Sequence, residues 1–173
     1  MLGPNLNRKY WKKKSPKRKN NLYFRLLERL RTFINPLLYA RLGEIDMSEV
    51  PDGLYYTKEH EWMKVEGDEV LIGITDHAQN ALTDIVYIEL PDVGQIMEDM
   101  GEFAIVESVK SASPIFAPLA GEITAVNHEL EDCPELMNTS PYGDGWIIKM
   151  KLNDSGALSG LMDAEGYKAE IGE

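Results

Sequence analysis

The chain has 173 residues, 43% of them hydrophobic, enough for one domain with a buried core and a flanking tail. Its formal charge of −11 is unevenly spread: residues 1–46 set 12 Lys and Arg against three acids, a local +9, and residues 47–173 set six bases against 26 acids, a local −20. So acidic a body repels nucleic acid and anionic membranes, the single Cys133 rules out an internal disulfide, and no run of about 18 apolar residues is present to span a bilayer.

Residues 1–21 are basic and carry Asn and Pro, a composition expected to be disordered. In residues 22–42, Tyr23, Leu26, Leu27, Leu30, Phe33, Ile34, Leu37 and Leu38 recur at helical spacing among Arg25, Arg29 and Arg31, a basic amphipathic helix bent or ended near Asn35-Pro36. Three readings fit this extension: an organelle-targeting segment, a helix for a membrane or partner surface, or a dispensable tail with the working domain starting at Met47. The first would put the protein in the mitochondrial matrix; the last suits a bacterial cytoplasmic protein.

From Gly53 the pattern becomes short strands. Glu61–Glu66 and Glu69–Ile74 flank Gly67-Asp68, a hairpin signal. Thr75 or Asp76 caps a short helix over Asp76–Leu82. Asp84–Leu90 alternates Ile85, Tyr87 and Glu89 against Val86, Ile88 and Leu90. Phe103–Val109 and Ile115–Ala117 are expected as strands around a tight Lys-Ser-Ala-Ser connection, and Gly121–Val126 and Trp146–Leu152 follow. His128–Asp132 is expected as a helical turn, and Gly156–Ala164 and Glu165–Ala169 as a terminal helical region. The chain is therefore expected to be mainly β, a compact sandwich or barrel with short peripheral helices.

Lys110 falls between two of these strands, where a hairpin tip turns its amine to solvent. A swinging-arm cofactor needs that placement, a rigid root and a free end, and a short tether keeps the cofactor concentrated at each docked partner. The plain alternative is an unmodified, solvated hairpin lysine. Ser108, Ser111, Ala112 and Ser113 leave room around it for a modifying enzyme.

The segment from Gly101 through Val106-Glu107-Ser108-Val109-Lys110-Ser111 to Gly121 resembles the lipoylation segment of glycine cleavage H proteins. Tyr56-Thr-Lys-Glu-His-Glu-Trp62 resembles that family's opening motif. Gly73-Ile-Thr75, Ala78 and Leu82-Thr-Asp-Ile85 resemble the next block, with Thr83 where the family usually has Gly. Pro91 and Gly94 fit as well, and Asn127, Leu130, Pro134, Leu136, Asn138 and Pro141-Tyr-Gly-Asp-Gly-Trp146 resemble the closing block. The likeness spans about residues 51–170, in order.

The resemblance implies a lipoyl/biotinyl-type flattened barrel-sandwich of two sheets, with lipoate joined by an amide to Lys110. It implies a carrier rather than an enzyme. Glycine decarboxylase (P protein) loads an aminomethyl group onto the arm, the aminomethyltransferase (T protein) passes the carbon to tetrahydrofolate, and dihydrolipoyl dehydrogenase (L protein) reoxidises the dithiol. Such proteins also shelter the loaded arm in a surface cleft bordered by Glu59–Trp62, so Glu61 is a candidate to bind the cationic amine. Glu107 resembles a feature read by lipoate-attaching enzymes; plain solubility explains it equally. A second function keeps the same lysine: an H-like protein relaying lipoyl groups to other dehydrogenase subunits. Biotin carriers usually bracket their lysine with methionines, whereas Val109 and Ser111 stand here.

The remaining residues offer little chemistry. In Glu59-His60-Glu61-Trp62 a lone His flanked by carboxylates is expected to be solvated at the surface rather than to hold a metal, and His77 and His128 lack ligand spacing. Gly101 and Gly121 are expected to permit turns. Cys133 has no adjacent base, and no phosphate loop or Ser/His/Asp order is recognisable.

Overall fold

The computed structural model describes residues 48–173. The expectations for residues 1–46 lie outside the described residues. Among the described residues, nine strands form two antiparallel sheets. The larger has the order β1 (Tyr55–Tyr56), β2 (Glu61–Glu66), β3 (Glu69–Ile74), β9 (Ile148–Leu152), β8 (Gly121–Val126) and β5 (Ile96–Met97). The smaller has the order β4 (Ile85–Glu89), β6 (Glu102–Ser108), β7 (Ala112–Phe116). Helices α1 (Asp76–Leu82), α2 (Glu129–Asp132), α3 (Leu136–Thr139) and α4 (Ala164–Ile171), with a 3-10 turn at Ser155–Gly160, lie between and after the strands. The architecture is thus the expected mainly β sandwich with short helices, its sheets not closed into a barrel.

Strand alternation assigns side chains to two cores. On β3, Val70, Ile72 and Ile74 join Met63 of β2, Ile88, Val106 and Ile115 of the smaller sheet, and Ile123, Ile148 and Met150 in the main core. Leu71 faces the other way, into a second cluster with Val50, Tyr56, Trp62, Ala164 and Tyr167, where α4 covers the larger sheet. Trp62 pairs across the strands with Gly73, where an added Cβ would lie 2.8–2.9 Å from the indole ring. The glycine makes room for the ring, and the indole nitrogen donates to the Pro141 carbonyl at 3.0 Å. These contacts account for three separated pieces of the sequence pattern: Trp62, Gly73 and Pro141.

Several boundaries differ from expectation. The connection at Lys110 is shorter, because Ala112, Ser113 and Pro114 already belong to β7. Pro114 is tolerated there because β7 is an edge strand with one side free of ladder bonds. The alternation expected along β4 fails: Ile85 and Ile88 are buried, while Val86 and Tyr87 are both exposed. The cause is a bulge, since Ile85 pairs with Ser108 and Tyr87 with Glu107, so two steps on β4 match one on β6. Gly121 sits in β8 rather than in a turn; a Cβ there would collide with the Lys151 carbonyl and lie 2.9 Å from Met150 Cγ. The terminal region is interrupted at Leu161–Asp163, where Tyr56 and Met162 form an isolated bridge.

Candidate functional site

Lys110 is exposed on the β6–β7 hairpin, and among the described residues it joins no ion pair. Its root is held closely. The Ser108 amide donates to the Ser111 carbonyl at 2.8 Å, and the Ser108 hydroxyl donates to the same carbonyl at 3.1 Å. That hydroxyl accepts the amides of Lys110 and Ser111, each at 3.2 Å. From β4's side, the Asp84 carbonyl accepts the Val109 amide at 3.1 Å. Asp84 lies between two residues tied to Asn138 of α3, whose side chain donates to Thr83 O at 2.8 Å and accepts from Ile85 N at 3.0 Å. A fixed backbone bearing an unencumbered amine is what covalent attachment of an acyl arm requires.

Glu107 lies on the outer face of β6, exposed, between Tyr87 of β4 and Ala112 of β7. Glu61 is elsewhere and buried, 2% exposed. One of its oxygens accepts the Phe116 amide of β7 at 3.1 Å, the other accepts the Thr57 hydroxyl, and its own amide donates to Thr57 Oγ1 at 3.0 Å. Desolvation raises the Glu61 pKa, with the hydrogen bonds from Thr57 and Phe116 pulling against it. Thr57 also lines a cleft of about 570 Å³ between the β1 end (Tyr56–Glu59), the loops holding Met100 and Pro118-Leu119, and the segment Gly160–Met162. The cleft therefore lies beyond the far end of β7, the strand that starts two residues after Lys110, with Glu61 bonded to that same end.

Two groups with shifted pKa values meet at the Glu59–Trp62 block, His60 within it and Tyr167 packed against it. His60 adopts a positive φ of 74° and its Nδ1 lies 2.8 Å from the Tyr167 hydroxyl, which is 2.8 Å from Thr75 Oγ1. Burial, and then the neighbouring His77, lower the His60 pKa; burial pushes the Tyr167 phenol up to about 12. This network ties α4 to the start of α1. Among the described residues no cluster of three or more His, Cys, Asp or Glu could hold a metal ion.

The family model for the glycine cleavage H-protein matches residues 54–173. The chain belongs to the glycine cleavage H-protein family. It is 57% identical over 120 residues to the glycine cleavage system H protein of Thermus thermophilus, covering 69% of this chain and 94% of that one. It is 49% identical over 128 residues to the corresponding protein of Alteromonas mediterranea, covering 73% and 99%. Among solved structures, the H protein of Mycobacterium marinum is similar with a TM-score of 0.66 and 35% identity, covering 72% of this chain and all of the other. Members of this family are lipoyl carriers of the glycine cleavage system. Among the described residues no helix is long and apolar enough to cross a membrane.

Sequence reasoning singled out Lys110, Glu107 and Glu61. The structure brings Lys110 and Glu107 to one hairpin and sets Glu61 at the other end of β7. The sequence assigns no role to Asp84, Asn138 or the cleft segment Gly160–Met162: Asp84 acts through its backbone carbonyl, and Asn138 through a side chain that reaches partners 53 and 55 positions away. In the sequence, Ser108 and Ser111 read only as small residues around the lysine.

Proposed function

We propose that Lys110 carries lipoate as N6-lipoyllysine and that the chain shuttles an aminomethyl group between the enzymes of the glycine cleavage system. The observation supporting this is the free, exposed amine of Lys110 on a hairpin whose root is fixed by Ser108 and by the Asp84 carbonyl. When bound, lipoate supplies a disulfide that takes up the one-carbon unit at sulfur and ends as a dithiol. The rest falls to this chain. The hairpin keeps the root rigid, so the volume swept by the arm stays small and its effective concentration at a docked partner high. The cleft past the end of β7 offers the arm an apolar wall of Tyr56, Met100, Pro118, Leu119, Leu161 and Met162, with Lys58, Glu59 and Asp99 also in its lining.

Glu61 is the residue assigned to the loaded amine. An ionised carboxylate offers about four lone-pair directions, and two of these are taken by Thr57 and Phe116. Glu61 does not itself line the cleft but lies behind Thr57, which does; a cationic amine that passed Thr57 to reach it would also offset the desolvation that raises the Glu61 pKa. The partners are then the P, T and L proteins and a lipoate-attaching enzyme, met in the cytoplasm of a bacterial cell. Glu107 is a recognition element for attachment.

The deciding experiment is intact mass and peptide mapping after incubation with lipoate, ATP and a lipoate-attaching enzyme. It is paired with glycine cleavage activity in the reconstituted system. Wild type should gain one lipoyl group on Lys110, and Lys110→Arg should gain none and lose aminomethyl transfer with its melting temperature unchanged. Lipoate on Lys149 or Lys151, or activity surviving in Lys110→Arg, would refute the assignment.

A further inference from the structure

Three of the seven large apolar side chains exposed among the described residues surround one hairpin: Val86 at 53%, Tyr87 at 50% and Val109 at 64%. Two of the three are there because of the β4 bulge. A regular strand would turn Val86 and Tyr87 to opposite faces; the extra residue sends both outward. Tyr87 stands opposite Glu107, one position before the end of β6 at Ser108, and Val109 immediately precedes Lys110. Asp84, Glu89 and Glu107 are exposed around this group and pair with no cation among the described residues.

Resting on the assignment of Lys110 as the carrier lysine, we propose that Val86, Tyr87 and Val109 form an apolar collar, rimmed by Asp84, Glu89 and Glu107, that docks the lipoate-attaching enzyme. Geometry selects that occupant among the partners. Attachment occurs at Lys110 Nζ itself. The amine forms an amide with the acyl carbon of a lipoyl adenylate, the bond from that carbon to phosphate oxygen breaks, AMP leaves, and the amine gives up a proton. An active site working at Nζ must close over the root of the side chain, and the collar is the surface it then meets. Enzymes acting at the sulfur end of a finished arm reach their atom far from the root and need not cover the collar. The acidic rim calls for a basic surround to the attaching enzyme's lysine entrance, and the apolar collar provides area that becomes dry on contact.

The test uses the full chain carrying Tyr87→Ala, Val86→Ser or both, with Val65→Ala, an exposed residue of β2, as a surface control. Apo protein is titrated into a ligase reaction with lipoate and ATP, and modification is followed by intact mass. The same variants, driven to full lipoylation with excess ligase, are titrated into glycine decarboxylase. The expected result is a KM for attachment raised about tenfold by Tyr87→Ala, and further in the double variant, the scale of a truncated interface aromatic. KM for the decarboxylase should move less than twofold, and Val65→Ala should change neither. An unchanged attachment KM overturns the collar. Equal losses in both assays overturn it too, since the surface would then not distinguish root from tip. A wild-type chain modified at another lysine, or at none, overturns the carrier assignment itself and is read separately from the variants.

Discussion

Thr83 occupies a conformation that only glycine adopts comfortably, and replacing it tests how much strain the site tolerates. It ends α1 at φ 67°, ψ −145°. A β-branched residue in such a region costs of order 1–3 kcal/mol. Its hydroxyl is buried with no hydrogen-bond partner, which adds on the order of 1 kcal/mol. Against this, Thr83→Gly loses a partly buried methyl worth about 0.8 kcal/mol and gains about 0.5–1 kcal/mol of unfolded-state entropy. The bonds that matter survive, because the Thr83 amide to Gln79 and the Thr83 carbonyl to Asn138 are both backbone groups. The net expectation is stabilisation by about 1–2 kcal/mol, a rise in Tm of roughly 3–8 °C for a domain of this size. Urea and thermal unfolding of wild type, Thr83→Gly and Thr83→Ala should order them Gly most stable, with Ala gaining only from the deleted hydroxyl. A neutral or destabilising Thr83→Gly would show that the backbone there is not strained. It would also remove the physical reason for the glycine that the family usually has at this position.

Four further outcomes are expected. Glu61→Ala should destabilise by about 2–4 kcal/mol in denaturant melts, because the Phe116 amide and Thr57 hydroxyl lose their acceptor in a buried place, whereas Glu61→Gln should cost less than half as much. Gly121→Ala should cost about 1–3 kcal/mol, since the new Cβ meets the Lys151 carbonyl across the β8–β9 ladder; a silent variant would mean that the strands can part there freely. The lowered His60 pKa means that the unfolded chain binds a proton first, so this group's contribution to stability is present above about pH 6.5 and is lost as pH falls toward its folded value. The difference in unfolding free energy between wild type and His60→Asn, measured from pH 8 to pH 5, should shrink across that window. With 26 acids against six bases after residue 46, docking to glycine decarboxylase should weaken with ionic strength as the Debye length falls from roughly 30 Å at 0.01 M to about 8 Å at 0.15 M. KM should then rise while kcat changes less, and a flat KM would mean that docking is apolar.

The parts of this fold legible in the sequence are those set by neighbours along the chain. Gly67-Asp68 announces the β2–β3 hairpin, and Thr75 caps α1 as a short polar side chain before a helix does, accepting from Ala78 N at 3.2 Å. Lys110 could be placed because strands flank it closely on both sides. What failed depends on partners distant in sequence. The outward pair Val86 and Tyr87 follows from β4's register with β6, which alternation along β4 alone cannot encode. The two-residue strands β1 and β5 are too short to carry a period. Ala-Ser-Pro at 112–114 reads as a turn by propensity and becomes strand only because β6 supplies a ladder on one side. Glu61 reads as a surface carboxylate; it is buried because Thr57 and Phe116, 4 and 55 positions away, supply its hydrogen bonds.

The two ends of the domain are stitched together. Tyr56 bridges Met162, the Ser48 amide donates to a Glu173 carboxylate oxygen across 125 positions, and Tyr56 stacks on Tyr167 with ring centroids 4.8 Å apart. Closing such long loops before any local contact rewards them makes for slow, late-committing folding. During synthesis Trp62 can be met by Pro141 and Tyr142 before α4 is made, whereas Tyr56 keeps its stacking face bare until Tyr167 of α4 has emerged. A ribosome-stalled or C-terminally clipped chain would therefore display its Lys110 hairpin while still exposing aromatic surface. Helix α4 thus marks the difference between a closed domain and one that a protease can recognise.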